Sequence, residues 1–149
     1  MPPVKVIVSN RRARRDYEIV ETVECGIVLL GSEVKSIKAG MVSIAEAYAE
    51  PAGNEIWLRE MHVAAYPHSG HFGHEPTRSR KLLLRSDEIK RLVGKVSRRG
   101  YTLIPLSIYI RRGFIKLELG LARGKRKYEK RETIKKRDME RDIRREMKG

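Results

Sequence analysis

Four arginines stand within five residues, at Arg11, Arg12, Arg14 and Arg15. A guanidinium forks onto phosphate oxygens and stacks on bases, and four of them are too many charges for a buried element. The same basic character returns in "TRSRK", "SRRG" and "IRRG". This repetition favours contact with nucleic acid over a merely solvated arm. His68, His71 and His74 lie three apart, with Glu75 next, a spacing that could offer imidazoles to a transition metal. They sit on a glycine-containing stretch with no cysteine nearby and no helix to fix them, so a loop touching RNA is the expectation and metal binding is not. Nucleophilic chemistry finds no support. Cys25 falls on an expected strand, where a buried thiol is inert packing, and neither GxSxG nor a phosphate-binding P-loop occurs. Glu24, Glu33, Glu46 and Glu50 are scattered, without spacing suited to two-metal hydrolysis. The chain reads as a binding protein and not an enzyme, with no cofactor. Glu24 stands apart as an acid in an apolar strand of a basic protein. It could accept hydrogen bonds from a base edge, pair with an arginine, or simply face solvent.

The last 27 residues, from Arg123 to Gly149, hold thirteen Lys or Arg against six Asp or Glu. Their net +7 is half of the +14 of the whole chain. Tyr128 is the one aromatic, and Ile134, Met139, Ile143 and Met147 are the apolar residues. So little apolar surface cannot offset ordering entropy, and the segment is expected to be disordered in isolation. Glu132 and Lys136 are four apart, as are Glu140 and Arg144, with the acid first. That order supports helix by about 0.2–0.5 kcal/mol per pair. No Pro or Gly interrupts Lys125 to Lys148. The tail thus reads as a segment that becomes helical on a receiving polyanion, the alternative being a solvated end.

Those residues need a body to present them. The chain has 149 residues, a pI near 10.2 and 35% charged residues, enough for one domain and a tail. No apolar run approaches a membrane span, and no signal-peptide pattern opens the chain. A single cysteine excludes an internal disulfide and fits a reducing cytoplasm. Gln is absent and Asn occurs only at Asn10 and Asn54, a weak thermophilic signature. Residues 1–10 suggest an arm or edge strand, followed by the arginine arm. Tyr17 to Leu30 alternates as a half-buried strand, with Gly26 as a bend. A short helix is expected from Ser32 to Gly40, then a strand in "MVSIAEAYAE", a turn at "PAGNE" and one or two strands in "IWLREMHVAAY". Pro67 to Lys81 reads as loop, Ser86 to Gly100 as a second helix capped by Ser86, and "YTLIPLSIYI" with "FIKLELGLA" as a hairpin turning at "RRG". Short strands, two or three short helices and no βαβ rhythm imply a mainly β chain: an OB-like antiparallel barrel over residues 1–122, with the basic tail at 123–149.

Several blocks in this order carry a family likeness: "NRRARRDYEIVETVECGIVLLGSEVKSIKAG", "PTRSRKLLLRSDEI", "GYTLIPLSIYI" and "KLELGLARGKRKYEKRETIKKRD". Together they resemble small protein B, the family that binds transfer-messenger RNA (SsrA). Departures are small: Arg15 stands where the family usually has His, Ser32 where it has Thr, and Cys25 within the usual Glu-Ala-Gly. Glu129-Lys130-Arg131 replaces Asp-Lys-Arg, and Arg85 stands where similar proteins have Asn. The resemblance implies binding to the tRNA-like domain of transfer-messenger RNA through Asn10, Arg11, Arg12, Arg14, Glu24, Leu83, Arg85, Lys116, Arg123, Lys125 and Arg126. It implies a tail that folds in the empty messenger channel and decoding site of a stalled ribosome. Tyr128, Glu129, Lys130 and Arg131 would lie at the decoding site, and Ile134, Lys135 and Lys136 in the helix beyond. Elongation factor Tu and alanyl-tRNA synthetase would be partners only through the RNA. The protein is expected to be a cytoplasmic monomer without a metal.

Overall fold

A computed structural model describes residues 4–65, 74–98 and 100–124. The elements run β1 (Val4–Ser9), α1 (Arg11–Asp16), β2 (Tyr17–Ile27), α2 (Gly31–Lys38), β3 (Val42–Ser43), β4 (Tyr48–Ala52) and β5 (Glu55–Arg59). They continue through β6 (His62–Val63), β7 (Arg80–Leu83), α3 (Ser86–Val96), β8 (Tyr101–Arg111) and β9 (Phe114–Gly124). The main sheet is ordered β1-β8-β4-β5-β7-β2-β9, and β9 pairs back onto β8, so it closes into the expected antiparallel barrel. Strand β1 lies outside the closed ring on β8, and β3 and β6 form a separate small pair.

The three long strands β2, β8 and β9 form the frame. Leu103, Ile108, Leu117, Leu119 and Leu121 point into the main core, where they meet Ile56, Leu58 and Leu82 from the shorter strands. Helix α2 contributes Ile37 and α3 contributes Leu92, both fully buried. Helix α3 is also tied to β2, with Arg91 2.7 Å and Lys95 3.6 Å from Glu21. A register shift between Pro105 and Ser107 of β8 inserts one residue against β9. Such a bulge re-aims the chain. Ile104 and Leu106 face a second cluster with Ala13 and Ala122, and the extra residue returns Ile108 to the main core that Leu103 faces.

This second cluster explains why the arginine arm forms a helix, α1. Asn10 caps the helix, its side-chain oxygen accepting from the Ala13 N–H at 3.1 Å. Ala13 is the sole apolar residue of the run and packs against Ile104, Leu106 and Ala122. The arginines around it can then all face outward. Gly120 makes room for this layer: a Cβ there would come 2.8 Å from Leu106 Cδ1.

Other boundaries move for identifiable reasons. "MVSIAEAYAE" is two short strands and not one, broken by a turn in which the Ala47 N–H bonds the Ile44 carbonyl. Helix α2 begins at Gly31, one residue before Ser32, and α3 begins at Ser86 itself, so Leu30 and Arg85, and not the serines, occupy the cap positions. Glu33 and Glu88 reach back to accept those N–H groups at 2.8 and 3.1 Å, so the acid three residues on, and not the serine, fixes the start.

The larger correction concerns "TRSRK". Arg80 and Lys81 open β7 and do not belong to a loop. Arg78 and Arg80 turn inward, onto Glu33, and do not face a polyanion. Glu33 and Arg80 are both fully buried, 2.5 Å apart, and Arg78 is 2.5 Å from the other Glu33 oxygen. Arg80 also donates to the carbonyls of Met61, Arg78 and Pro76. Burial pushes the Glu33 carboxyl up, but bonds from Arg78, the Leu30 N–H and Arg80 prevail and hold it below the ordinary range. Burial likewise pulls Arg80 down, against the opposing pull of Glu33. His74 packs beside this node. Its Nε2–H donates to the Val63 carbonyl at 2.7 Å, and its Nδ1 lies 2.9 Å from the Ser32 hydroxyl.

Two outcomes are expected. Glu33→Gln leaves two guanidiniums without their carboxylate and should cost about 3–5 kcal/mol in urea unfolding. Because the folded pKa is depressed, the Glu33 contribution is complete above the unfolded value of about 4.3 and fades as pH falls through the folded one. The gap between wild type and Glu33→Gln should therefore be constant above about pH 5 and narrow in acid; a pH-independent gap contradicts this. Gly120→Ala should overpack the α1 layer and lower stability by about 1–3 kcal/mol, checked by the same unfolding curves.

Candidate nucleic-acid interface

The ladder registers build one outer face from β8, β9, β2 and β7. Lys116 pairs with Tyr109 on one side and with Gly26 on the other, and Gly26 pairs with Leu83. One step along, Glu118 pairs with Ser107 and with Glu24. Side chains two apart on a strand share a face. Glu24, Lys116 and Leu83, far apart in sequence, thus lie side by side. Gly26 is what lets Leu83 approach, since a Cβ there would sit 3.2 Å from the Leu83 Cβ. Leu83 remains 50% exposed, which no core role explains.

Glu24 is held in place and not left to rotate in solvent. The Tyr109 hydroxyl donates to its Oε2, and Arg111 lies 2.6 Å from the same oxygen. Burial, then the bond to Glu24, raises the Tyr109 pKa, so the phenol stays a donor. With Oε2 occupied, Oε1 is available to accept from a base amino or imino group. Of the three readings open from sequence, pairing with arginine is therefore realised, in a form compatible with base contact. Cys25, next in the chain, points into the core. Burial, with Glu88 and Glu24 adding, pushes its thiol up to about 12, away from any nucleophilic role.

Helix α1 brings the arginine run to the same face from one side. Arg14 reaches Glu118 at 3.0 Å, beside Glu24 in the ladder. Arg12 points the other way, to Glu46 at 2.8 Å and Asp16 at 3.7 Å, over a cavity of about 360 Å³ lined in part by Tyr17, Tyr48 and Thr102. Arg11 is exposed. Asn10 is not on the face: it is 5% exposed, and its amide donates to the Ile44 and Pro105 carbonyls. Its role is to set α1, and through it the arginines. The signal was in the sequence, as an Asn directly before a short helix-compatible run. Arg85 is exposed at the start of α3, 3.7 Å from Asp87 and 3.5 Å from Glu88. Arg123 lies on β9, ion-paired to Glu18, seven residues from Lys116. At about 3.3 Å per residue that is about 23 Å away, so it does not join the Glu24 cluster.

His74 is committed to the fold, while His68 and His71 lie outside the described residues. Among the described residues no group of three or more His, Cys, Asp or Glu could hold a metal ion. Likewise no helix there is long and apolar enough to cross a membrane. Lys125, Arg126, Tyr128, Glu129, Lys130, Arg131, Ile134, Lys135 and Lys136 lie outside the described residues.

Glu24→Ala should weaken binding of the cognate RNA by about 5- to 100-fold, although it removes a negative charge. Its base partner would lose an acceptor at a cost of ~1–3 kcal/mol. Tyr109→Phe should produce a smaller loss in the same filter-binding titration. Tighter binding by a folded Glu24→Ala protein would show that the carboxylate only repels phosphate.

Comparison with known proteins places the whole chain in one family. The family model described as SmpB protein matches residues 7–149. An SsrA-binding protein of Treponema denticola is 47% identical over 146 residues, covering 98% of this chain and 95% of its own. One from Roseiflexus castenholzii is 52% identical over 145 residues, covering 97% and 92%. A solved chain described under "tmRNA-SmpB: a journey to the center of the bacterial ribosome" superposes with a TM-score of 0.69 at 46% identity, over 85% of this chain and 93% of that one. With the family model spanning all but its first six residues, the chain belongs to the SmpB family.

Proposed function

We propose that this protein is a non-enzymatic adaptor that binds the tRNA-like domain of transfer-messenger RNA and delivers it to stalled ribosomes for trans-translation. The observation that carries this reading is the near full-length identity to proteins named SsrA-binding protein. The outer face supports where the RNA sits. Glu24 reads a base edge, Lys116 and Arg14 meet phosphates, and Leu83 offers an apolar contact to a base or ribose. Arg11, Arg12 and Arg85 extend the phosphate track, with Arg123, Lys125 and Arg126 prolonging it toward the tail. The face needs no metal or cofactor to do this, and elongation factor Tu and alanyl-tRNA synthetase meet the complex through the RNA alone. The protein acts as a cytoplasmic monomer.

The tail supplies the ribosomal half. Transfer-messenger RNA has no anticodon arm to fill the decoding site, and a +7 segment is drawn into a channel walled by RNA phosphate. Tyr128 stacks on an exposed ribosomal base, with Glu129, Lys130 and Arg131 beside it. Ile134, Lys135 and Lys136 begin a helix in the channel. A channel already holding message excludes that helix, which makes selection for stalled ribosomes steric.

Arg137→Pro and Arg137→Ala each lower the tail charge to +6, but only proline removes a helix donor, at ~3 kcal/mol or more. Both variants should bind transfer-messenger RNA like wild type in gel shift. In a reconstituted rescue assay the proline variant should be at least tenfold slower than the alanine variant. Equal rescue would mean that the tail contributes charge alone, and a wild-type chain that ignores transfer-messenger RNA would end the proposal.

A further inference from the structure

Phe114 is 68% exposed, the most exposed large hydrophobic residue among the described residues. It stands at the tip of the β8–β9 hairpin, where Arg112 (φ 51°) and Gly113 (φ 82°) make the two-residue turn. Positive φ at both central positions is what a tight hairpin turn of this hand requires. For arginine the left-handed conformation is unfavourable, and such strain persists where the surroundings enforce it. The turn fixes the register and sets Phe114 directly opposite Arg111. Phe114 and Lys116 are two apart on β9, so the ring continues the row that holds Lys116, Glu118 and, across the ladder, Glu24 and Leu83.

The charges around the ring suit one kind of partner. Lys116 Nζ lies 5.9 Å from the Phe114 ring centroid and Arg111 lies over Tyr109 at 5.5 Å, with Arg112 exposed at the tip. From Arg111 to Leu117 there is no acidic residue. On the core side of the hairpin tip, opposite Lys116, the ring also borders a groove of about 260 Å³ lined by Ile27, Leu29, Val34, Lys38 and Ile115. An apolar ring and groove rimmed by cations offers a π-face to a flat group and charge to a phosphate attached to it. We propose that Phe114 is a stacking platform for one unpaired nucleobase of the RNA bound on this face, whose flanking phosphates lie against Arg112, Lys116 and Lys38. This deepens the transfer-messenger RNA reading and rests on it.

The test is a titration of full-length wild type, Phe114→Ala, Phe114→Leu and Phe114→Trp against fluorescently labelled tRNA-like-domain RNA. Because the ring is exposed, all four proteins should melt within a few degrees of one another. Stacking on an aromatic is lost on truncation, and base stacking of this kind is typically worth about a 5- to 100-fold change in affinity. The alanine and leucine variants should both weaken binding by that factor. The tryptophan variant should bind as well as wild type or better, with its added fluorescence quenched by the RNA. Wild-type affinity in Phe114→Leu would show that only an apolar contact is needed and would overturn the proposal. Unchanged RNA affinity in Phe114→Ala, with weakened binding to ribosomes, would assign the ring to a ribosomal surface and overturn it as well. A wild-type chain that does not bind this RNA fails the functional reading itself, a result distinct from either of these.

Discussion

The fold depends on one buried ion pair. Arg80 and Glu33 have no solvent exposure, and their further bonds tie the cap of α2, the approach to β7 and the Met61 carbonyl to one point. Glu33 holds the start of α2 through the Leu30 N–H, and Arg80 holds the carbonyls of Met61, Pro76 and Arg78. Segments that carry little regular structure of their own are thereby fixed to β7 and α2. Apolar residues at these positions would bury well but could not satisfy the carbonyls that converge there. The pair does not add much net stability over such a replacement, because desolvation offsets most of its attraction. What it supplies is a single geometry for the end of the barrel closed by α2.

The outer face uses charge in the opposite way. Arg14 and Arg111 meet carboxylates there, at Glu118 and Glu24, as Arg12 meets Glu46 on the other side of α1, but these pairs are exposed or half-buried. An exposed pair contributes about 0–1 kcal/mol. Such a partner orients a guanidinium without committing it, so exchange for a phosphate is cheap. The acids on this basic protein are therefore positioning devices as much as charges. Glu24 is the clearest case, clamped on one oxygen and open on the other.

The large elements were legible because their signals are local. The β8–β9 hairpin follows from two alternating runs around "RRG", and α3 from acids in its first turn and Gly100 after its last. Helix α1 was hidden because its apolar face is a single alanine, and one residue makes no period. The inward turn of Arg78 and Arg80 was hidden because their partner, Glu33, is more than forty positions away; by composition they are indistinguishable from the arginines that face out. The bulge at Leu106 is invisible for a related reason. It depends on the fit of Leu106 to Gly120 and Ala13, which only the assembled layers define. Within the site, Glu24 was conspicuous as an acid among apolar residues, and Lys116 and Leu83 came from the family likeness. The Tyr109–Glu24 bond and the exposure of Phe114 required the ladder register.

Tyr17 at the start of β2 pairs with Gly124 at the end of β9, so the first long strand waits for the last. A nascent chain emerging from the ribosome holds β2 without its main partner until nearly the whole barrel has been synthesised. Until then the apolar side of β2 has no lasting cover, and native pairing cannot begin from the N-terminus as the chain lengthens. Long-range pairing of this kind is slow and leaves strands open to wrong partners. The acids Glu18, Glu21 and Glu24 give that waiting strand a charge that opposes pairing with another copy of itself. Carboxylates that hold α3, Arg123 and Arg111 in the finished protein would thus also guard the unfinished strand.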